Sequence, residues 1–164
     1  MAGEGIERKV ALREHLAQSR RAFLAAVAAL DEAALGRSVG HASDWTAKDL
    51  IGHVAYAEAS MLPMIQGALA GASAGPNPDF DLDRWNEGRV RRARGQSVTD
   101  LLARLDDSRA QCLALLDSLA DADLDRPTYH PSLKETTVAG VFGVIGDHEA
   151  GHAGELRAIA GATA

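Results

Sequence analysis

Cysteine is nearly missing from this chain: among 164 residues only Cys112 carries a thiol. One thiol closes no intrachain disulfide, so cross-links do not hold the fold and no oxidising compartment is implied. Aromatic residues are scarce as well, at 4%. With so few rings the core must be built from Ala, Leu, Val and Ile, a mixture that favours close-packed helices over a β-sandwich. Positive charge is in deficit: 17 Lys and Arg against 23 Asp and Glu give a formal net charge of −6. A chain of that sign repels nucleic acid and anionic membrane unless it carries a local basic patch. No apolar run approaches the roughly 20 residues that span a bilayer. The opening MAGEGIERKV has no apolar signal-peptide core. The expectation is a cytoplasmic protein that meets a small molecule and engages neither nucleic acid nor membrane.

What the chain does have is helical periodicity. It is 46% hydrophobic, enough for one core, and residues 1–164 read as a single domain. Leu12, Leu16, Phe23, Leu24, Val27 and Leu30 recur at helical spacing, predicting a first helix that ends near Gly36. A second helix opens at Thr46, with Asp49 completing a capping box, and continues through Leu50, Ile51, Val54, Ala57, Met61, Ile65 and Leu69. Pro63 falls inside it, where a kink is expected. Residues 71–80 are rich in Gly and Pro and read as a loop, with a short helix over Asp81 to about Arg94. A third long helix opens at Ser97 with a capping box to Asp100, and 122–135, with two prolines, reads as a loop. A fourth helix is predicted over about 136–160. No segment alternates with strand period. Four long helices, with a long crossing connection between the second and third, predict an all-α four-helix bundle.

His148 and His152 stand four apart on the fourth helix, in line with Ile145, Leu156 and Ile159. They are stacked one turn apart, about 6 Å along the axis, and face inward. His53 borders the inward stripe of the second helix beside Val54. Three neutral imidazoles from two helices would form an open zinc-like site with positions left for water and substrate. The spacing alone fits hydrogen-bonded core or boundary histidines equally well, and both readings stand at this point. His15, His41 and His130 offer no comparable pattern and are not read as ligands.

DWTAKDLIGHVAYAE and DHEAGHAGELRAI, in that order, resemble the second-helix and last-helix motifs of the DinB/YfiT-like superfamily. DRWNEGRVRRARGQSVTDLLARLDDSRAQCLALLDSL is similar to the middle region of the same proteins, so the likeness covers roughly residues 10–160. The resemblance implies a four-helix bundle in up-down-down-up order and a divalent metal, nickel or zinc, on three histidines. The positions that match are His53, His148 and His152. Superfamily members include mycothiol- or bacillithiol-dependent S-transferases, a mycothiol-dependent isomerase and proteins active in the stress response to genotoxic metabolites. The implied activity is a metal- and thiol-dependent S-transferase reaction on a small electrophile. A metal-dependent hydrolase, or a non-catalytic small-molecule-binding protein, is the alternative.

Around these histidines, Tyr56 shares the face of His53 and is a candidate to donate a proton or hydrogen bond to substrate. Glu155 is a candidate general base or partner of His152, with a plain surface charge as its rival reading. Asp49 is read as a cap first and a partner of His53 second. Trp85 and Asn86 are placed at a pocket mouth, and Trp45 at the bundle end. Arg84 and Arg89 head a basic cluster with Arg91, Arg92 and Arg94, and are candidates to fork onto the carboxylates of a low-molecular-weight thiol. A solvated helix face explains the same cluster. Gly140, Gly143, Gly146, Gly151 and Gly154 weaken the last helix; a tight helix contact or a homodimer interface is expected there. Cys112 follows an apolar stripe and reads as a small buried hydrophobe.

Overall fold

The computed structural model describes residues 2–40, 44–72, 75, 77 and 79–161, with side chains described from residue 7 onward. Its helices are α1 (Ala2–Ala28), α2 (Glu32–Leu35), α3 (Ala47–Leu69), α4 (Leu82–Ala93), α5 (Val98–Ser118) and α6 (Val138–Gly161). A 3₁₀ turn (Asp121–Asp125) and two short strands, β1 (Pro127–His130) and β2 (Lys134–Thr137), join α5 to α6. Both expected capping boxes form. Asp49 N–H donates to Thr46 Oγ1 and Thr46 N–H to Asp49 Oδ2, each at 3.2 Å. The same reciprocal pair links Ser97 and Asp100. Each satisfies two backbone donors that a helix start otherwise leaves open. Asp81 caps α4 through Arg84 N–H at 2.9 Å, and α3 runs through Pro63 as one helix.

The long helices pack in up-down-down-up order. His15 meets Asp147, and Ser19 and Arg20 meet Glu149, so α1 and α6 run the same way. Tyr56 stacks with Arg104, and Glu58 pairs with Arg109, so α3 and α5 also run together. Lys9 Nζ bonds the carbonyl of Leu119, while Arg20 Nη1 bonds that of Leu105, so α5 opposes α1. The apolar interior falls into two clusters. One gathers Phe23, Leu50, Ile51, Val54, Leu101 and Leu156; the other gathers Leu16, Met61, Ile65, Leu116, Phe142 and Ile145. Gly146 permits close approach of α1 and α6: a Cβ there would strike the ring of His15. Gly52 does the same for α3 against Ala93 of α4. No helix among the described residues is long and apolar enough to cross a membrane.

Four expectations need correction. The first helix ends at Ala28, not near Gly36, because Asp31 starts a new turn by capping Ala34 N–H at 2.7 Å. Residues 127–137 form an antiparallel hairpin rather than a plain loop, pairing Pro127 with Thr137 and His130 with Lys134. Lys134, where β2 leaves the turn, has a φ of 65°, a left-handed conformation unusual for a side-chain-bearing residue. The glycines of α6 do not all mark tight contacts: a Cβ at Gly143, Gly151 or Gly154 would meet open space. Leu24, placed on the stripe of the first helix, is 36% exposed. His41 lies outside the described residues.

Candidate metal centre

The cap at Thr46 fixes where α3 begins and thereby which face carries His53. His53 is buried, with the ring of Trp45 tilted against it at 5.0 Å between centroids. From α6, one turn apart, come His148 and His152. His53 Nε2 lies 2.8 Å from His148 Nε2, which lies 3.2 Å from His152 Nε2. All three ligand atoms fall within 4.8 Å of one another. Tetrahedral nitrogen ligands at about 2.0–2.1 Å from zinc would stand about 3.3 Å apart. The His148–His152 spacing lies close to that, and the His53–His148 spacing is about half an ångström shorter.

The protonation chemistry agrees with a cation site. His152 Nδ1 lies 2.9 Å from Glu155 Oε2. A carboxylate accepts, so Nδ1 carries the proton and the Nε2 lone pair points into the cluster. Burial, reinforced by His152, His53 and His130 as neighbours, pushes the His148 pKa down to about 2. The ring is thereby kept neutral, the form that binds metal. Three imidazole nitrogens crowded this closely are a donor set that a divalent ion fits.

His53 and His148 form part of the wall of a cavity of about 510 Å³, a size suited to a small organic molecule. Met61, Pro63, Met64, Phe80 and Trp85 supply apolar surface, and among the described residues no Asp or Glu lines it. Trp85 and Asn86 lie on this wall, as the sequence suggests. Tyr56 is also there, its hydroxyl accepting from Gln96 Nε2 at 2.6 Å. Arg89 reaches the wall with its guanidinium 4.7 Å above Trp85. Arg84 does not: it lines a separate, more open depression with Arg92 and Asp79. Arg94 is taken up by Asp49, through two bonds of 3.0 and 3.1 Å. That pairing adds to the cap and holds the Asp49 carboxyl below its usual range despite desolvation. Trp45 is buried and donates to Glu87 at 2.6 Å. Cys112 is fully buried, and burial pushes its thiol up to about 12, which leaves it inert.

Three features escape a sequence reading. His130 comes from the hairpin, is buried, and lines the cavity with Pro131 and Ser132. Arg104 of α5 lines it too, stacked 3.9 Å over the Tyr56 ring. Behind the site, Arg20, Glu58, Arg109 and Glu149 form a buried quartet drawn from four helices. Arg20 donates to Glu149 at 2.6 Å and to Glu58 at 3.0 Å. Arg109 donates to Glu58 at 3.0 Å and to Glu149 at 2.9 Å. Ser19 Oγ adds a bond to Glu149 at 2.8 Å, and Arg109 also reaches the carbonyl of Leu16. Glu149, which in sequence merely flanks His148, is 2% exposed.

Comparison with known proteins agrees with this architecture. YfiT from Bacillus subtilis, described as a probable metal-dependent hydrolase with an unusual four-helix bundle topology, is similar in structure. Its TM-score is 0.77 at 21% identity, over 96% of this chain and 88% of that one. Uncharacterised proteins from Escherichia coli UTI89 (TM-score 0.75, 15% identity, 94% of each chain) and Clostridium difficile 630 (TM-score 0.65, 15% identity, 92% of this chain and 94% of that one) share the fold. No curated protein sequence matches the chain. The sequence pattern of one family does match, over residues 15–156, a span that holds the up-down-down-up helices and all three clustered histidines. The chain therefore belongs to the DinB superfamily.

Proposed function

We propose that this protein is a divalent-metal-dependent enzyme acting on a small molecule, with His53, His148 and His152 as its metal ligands. The observation that carries the reading is the convergence of three imidazole Nε2 atoms from two helices, with two of the rings, His53 and His148, on the wall of a half-open, largely apolar cavity. An imidazole donor set suits zinc or nickel. Such an ion supplies Lewis acidity, acidifying a water or thiol brought beside it. The chain's own residues do the rest. Glu155 holds the His152 tautomer rather than serving as the base. Trp45 backs His53, and Met61, Met64 and Phe80 give the cavity its apolar surface.

Hydrolysis is the first reading, supported by the likeness to YfiT. S-transfer from a low-molecular-weight thiol is the second, and the observation that favours it is Arg89 on the cavity wall, a cation suited to an anionic thiol. Turnover of an ester and epoxide panel by metal-loaded protein, with and without added thiol, separates the two. Hydrolysis proceeds without thiol; S-transfer requires it. In both cases a chelator should abolish turnover, and full activity in metal-free protein would contradict the proposal.

A further inference from the structure

Among the described residues, the two buried arginines and the exposed Arg94 have carboxylate partners. Arg20 and Arg109 share Glu58 and Glu149, and Arg94 grips Asp49. Arg104 breaks the pattern. Its Nε is shielded from solvent and has no hydrogen-bond partner, and no ion pair to it is seen among the described residues. The guanidinium carbon sits over the Tyr56 ring, 3.9 Å from its centroid. A stacked, planar guanidinium is a fork already set for an oxygen acid, since little further ordering is needed to bind one. Arg89 brings a second cation to the same cavity.

The other polar groups there tell the same story. His130 Nδ1 accepts the N–H of Ser132 at 3.2 Å, so the neutral ring carries its proton on Nε2 and can only donate from that side. Tyr56 Oη already accepts from Gln96. With no Asp or Glu on the wall among the described residues, a chain of net charge −6 has placed two cations and a neutral donor in this cavity. Beside the neutral Ser60, Asn86 and Ser132, the wall offers the apolar surface of Met61, Pro63, Met64 and Phe80.

We infer that the cavity selects a small organic carboxylate, its anionic group anchored by Arg104 and its hydrocarbon body lodged against Met61, Met64 and Phe80. The inference names a substrate class for the site proposed above and rests on that reading for turnover, though not for binding. The carboxylate would be held on the α5 side of the cavity, leaving the rest of the molecule toward His53 and His148. Arg104 is thus a specificity-determining residue, and Arg89 reinforces the local positive potential.

Calorimetric titration of 4-phenylbutyrate, its neutral amide and inorganic phosphate tests this. It is run on the protein as purified and again after dialysis against a chelator, so that coordination to a metal cannot imitate the anchor. In both preparations the acid should bind at least tenfold more tightly than the amide and than phosphate. Arg104→Gln should remove that preference for the acid while leaving amide binding unchanged, and Arg104→Lys should restore part of it. Equal binding of acid and amide in the unaltered protein would overturn the inference without any variant. So would phosphate binding as tightly as the acid, or full acid affinity in folded Arg104→Gln. Metal content, measured on the same samples, reports separately on the histidine site: loss of one result leaves the other standing.

Discussion

Two polar clusters sit side by side between α3 and α6, and they are built on opposite plans. Glu58 is five residues beyond His53, and Glu149 is next to His148. The quartet of Arg20, Glu58, Arg109 and Glu149 balances two cations against two anions and gives every carboxylate at least two donors. It lies between the two apolar clusters and does not line the cavity that His53 and His148 border. The histidine cluster brings three groups of one kind together, two of them on a cavity wall. A closed set of complementary charges locks helices in register; a convergent set of like donors asks for something from outside. The difference separates a structural network from a functional one although both are buried, polar and on the same helices.

The comparison predicts a double dissociation. Glu149→Ala should cause the largest loss of stability, about 3–5 kcal/mol, because it strands two buried guanidiniums with one carboxylate between them. Urea unfolding measures it, and the fraction that remains folded should still bind metal. A loss under about 1 kcal/mol would show that the quartet is not the lock described here. Glu155→Gln should leave stability nearly unchanged and weaken metal affinity by about 10–100-fold, since the tautomer of His152 is no longer enforced. A competition titration against a metal-sensitive dye gives the number, and unaltered affinity would place Glu155 among ordinary surface charges. The smallest effect belongs to the helix that carries both clusters. Gly143→Ala and Gly151→Ala meet open space, so each should raise stability by up to about 1 kcal/mol in thermal unfolding. Destabilisation by either would reveal a close neighbour on that face, the arrangement originally expected there.

Much of the fold is legible in the sequence because its signals are local. Thr46 with Asp49, Ser97 with Asp100, and Asp81 announce helix starts within a few residues. The triad is legible for a related reason: the four-residue spacing of His148 and His152 fixes a common face, and the stripe around His53 aims it inward. The hairpin is not, because strands of four residues with prolines at 127 and 131 leave no period to read. With it His130 was lost. Arg104 and the quartet are hidden for a deeper reason. A charged residue on a helix reads as solvated, and nothing near Arg20, Glu58, Arg109 or Glu149 in sequence announces partners contributed by other helices. Long-range complementarity of that sort exists only in the packed structure.

The central claim is that three histidines hold a divalent ion, and elemental analysis of the purified protein beside His148→Ala and His15→Ala addresses it directly. His15 pairs with Asp147 at 3.0 Å, outside the cluster, and serves as the control. The account predicts about one ion per chain in the unaltered protein and in His15→Ala, and loss of nearly all of it in His148→Ala, whose metal-free fold should persist. Unchanged metal content in His148→Ala would contradict it.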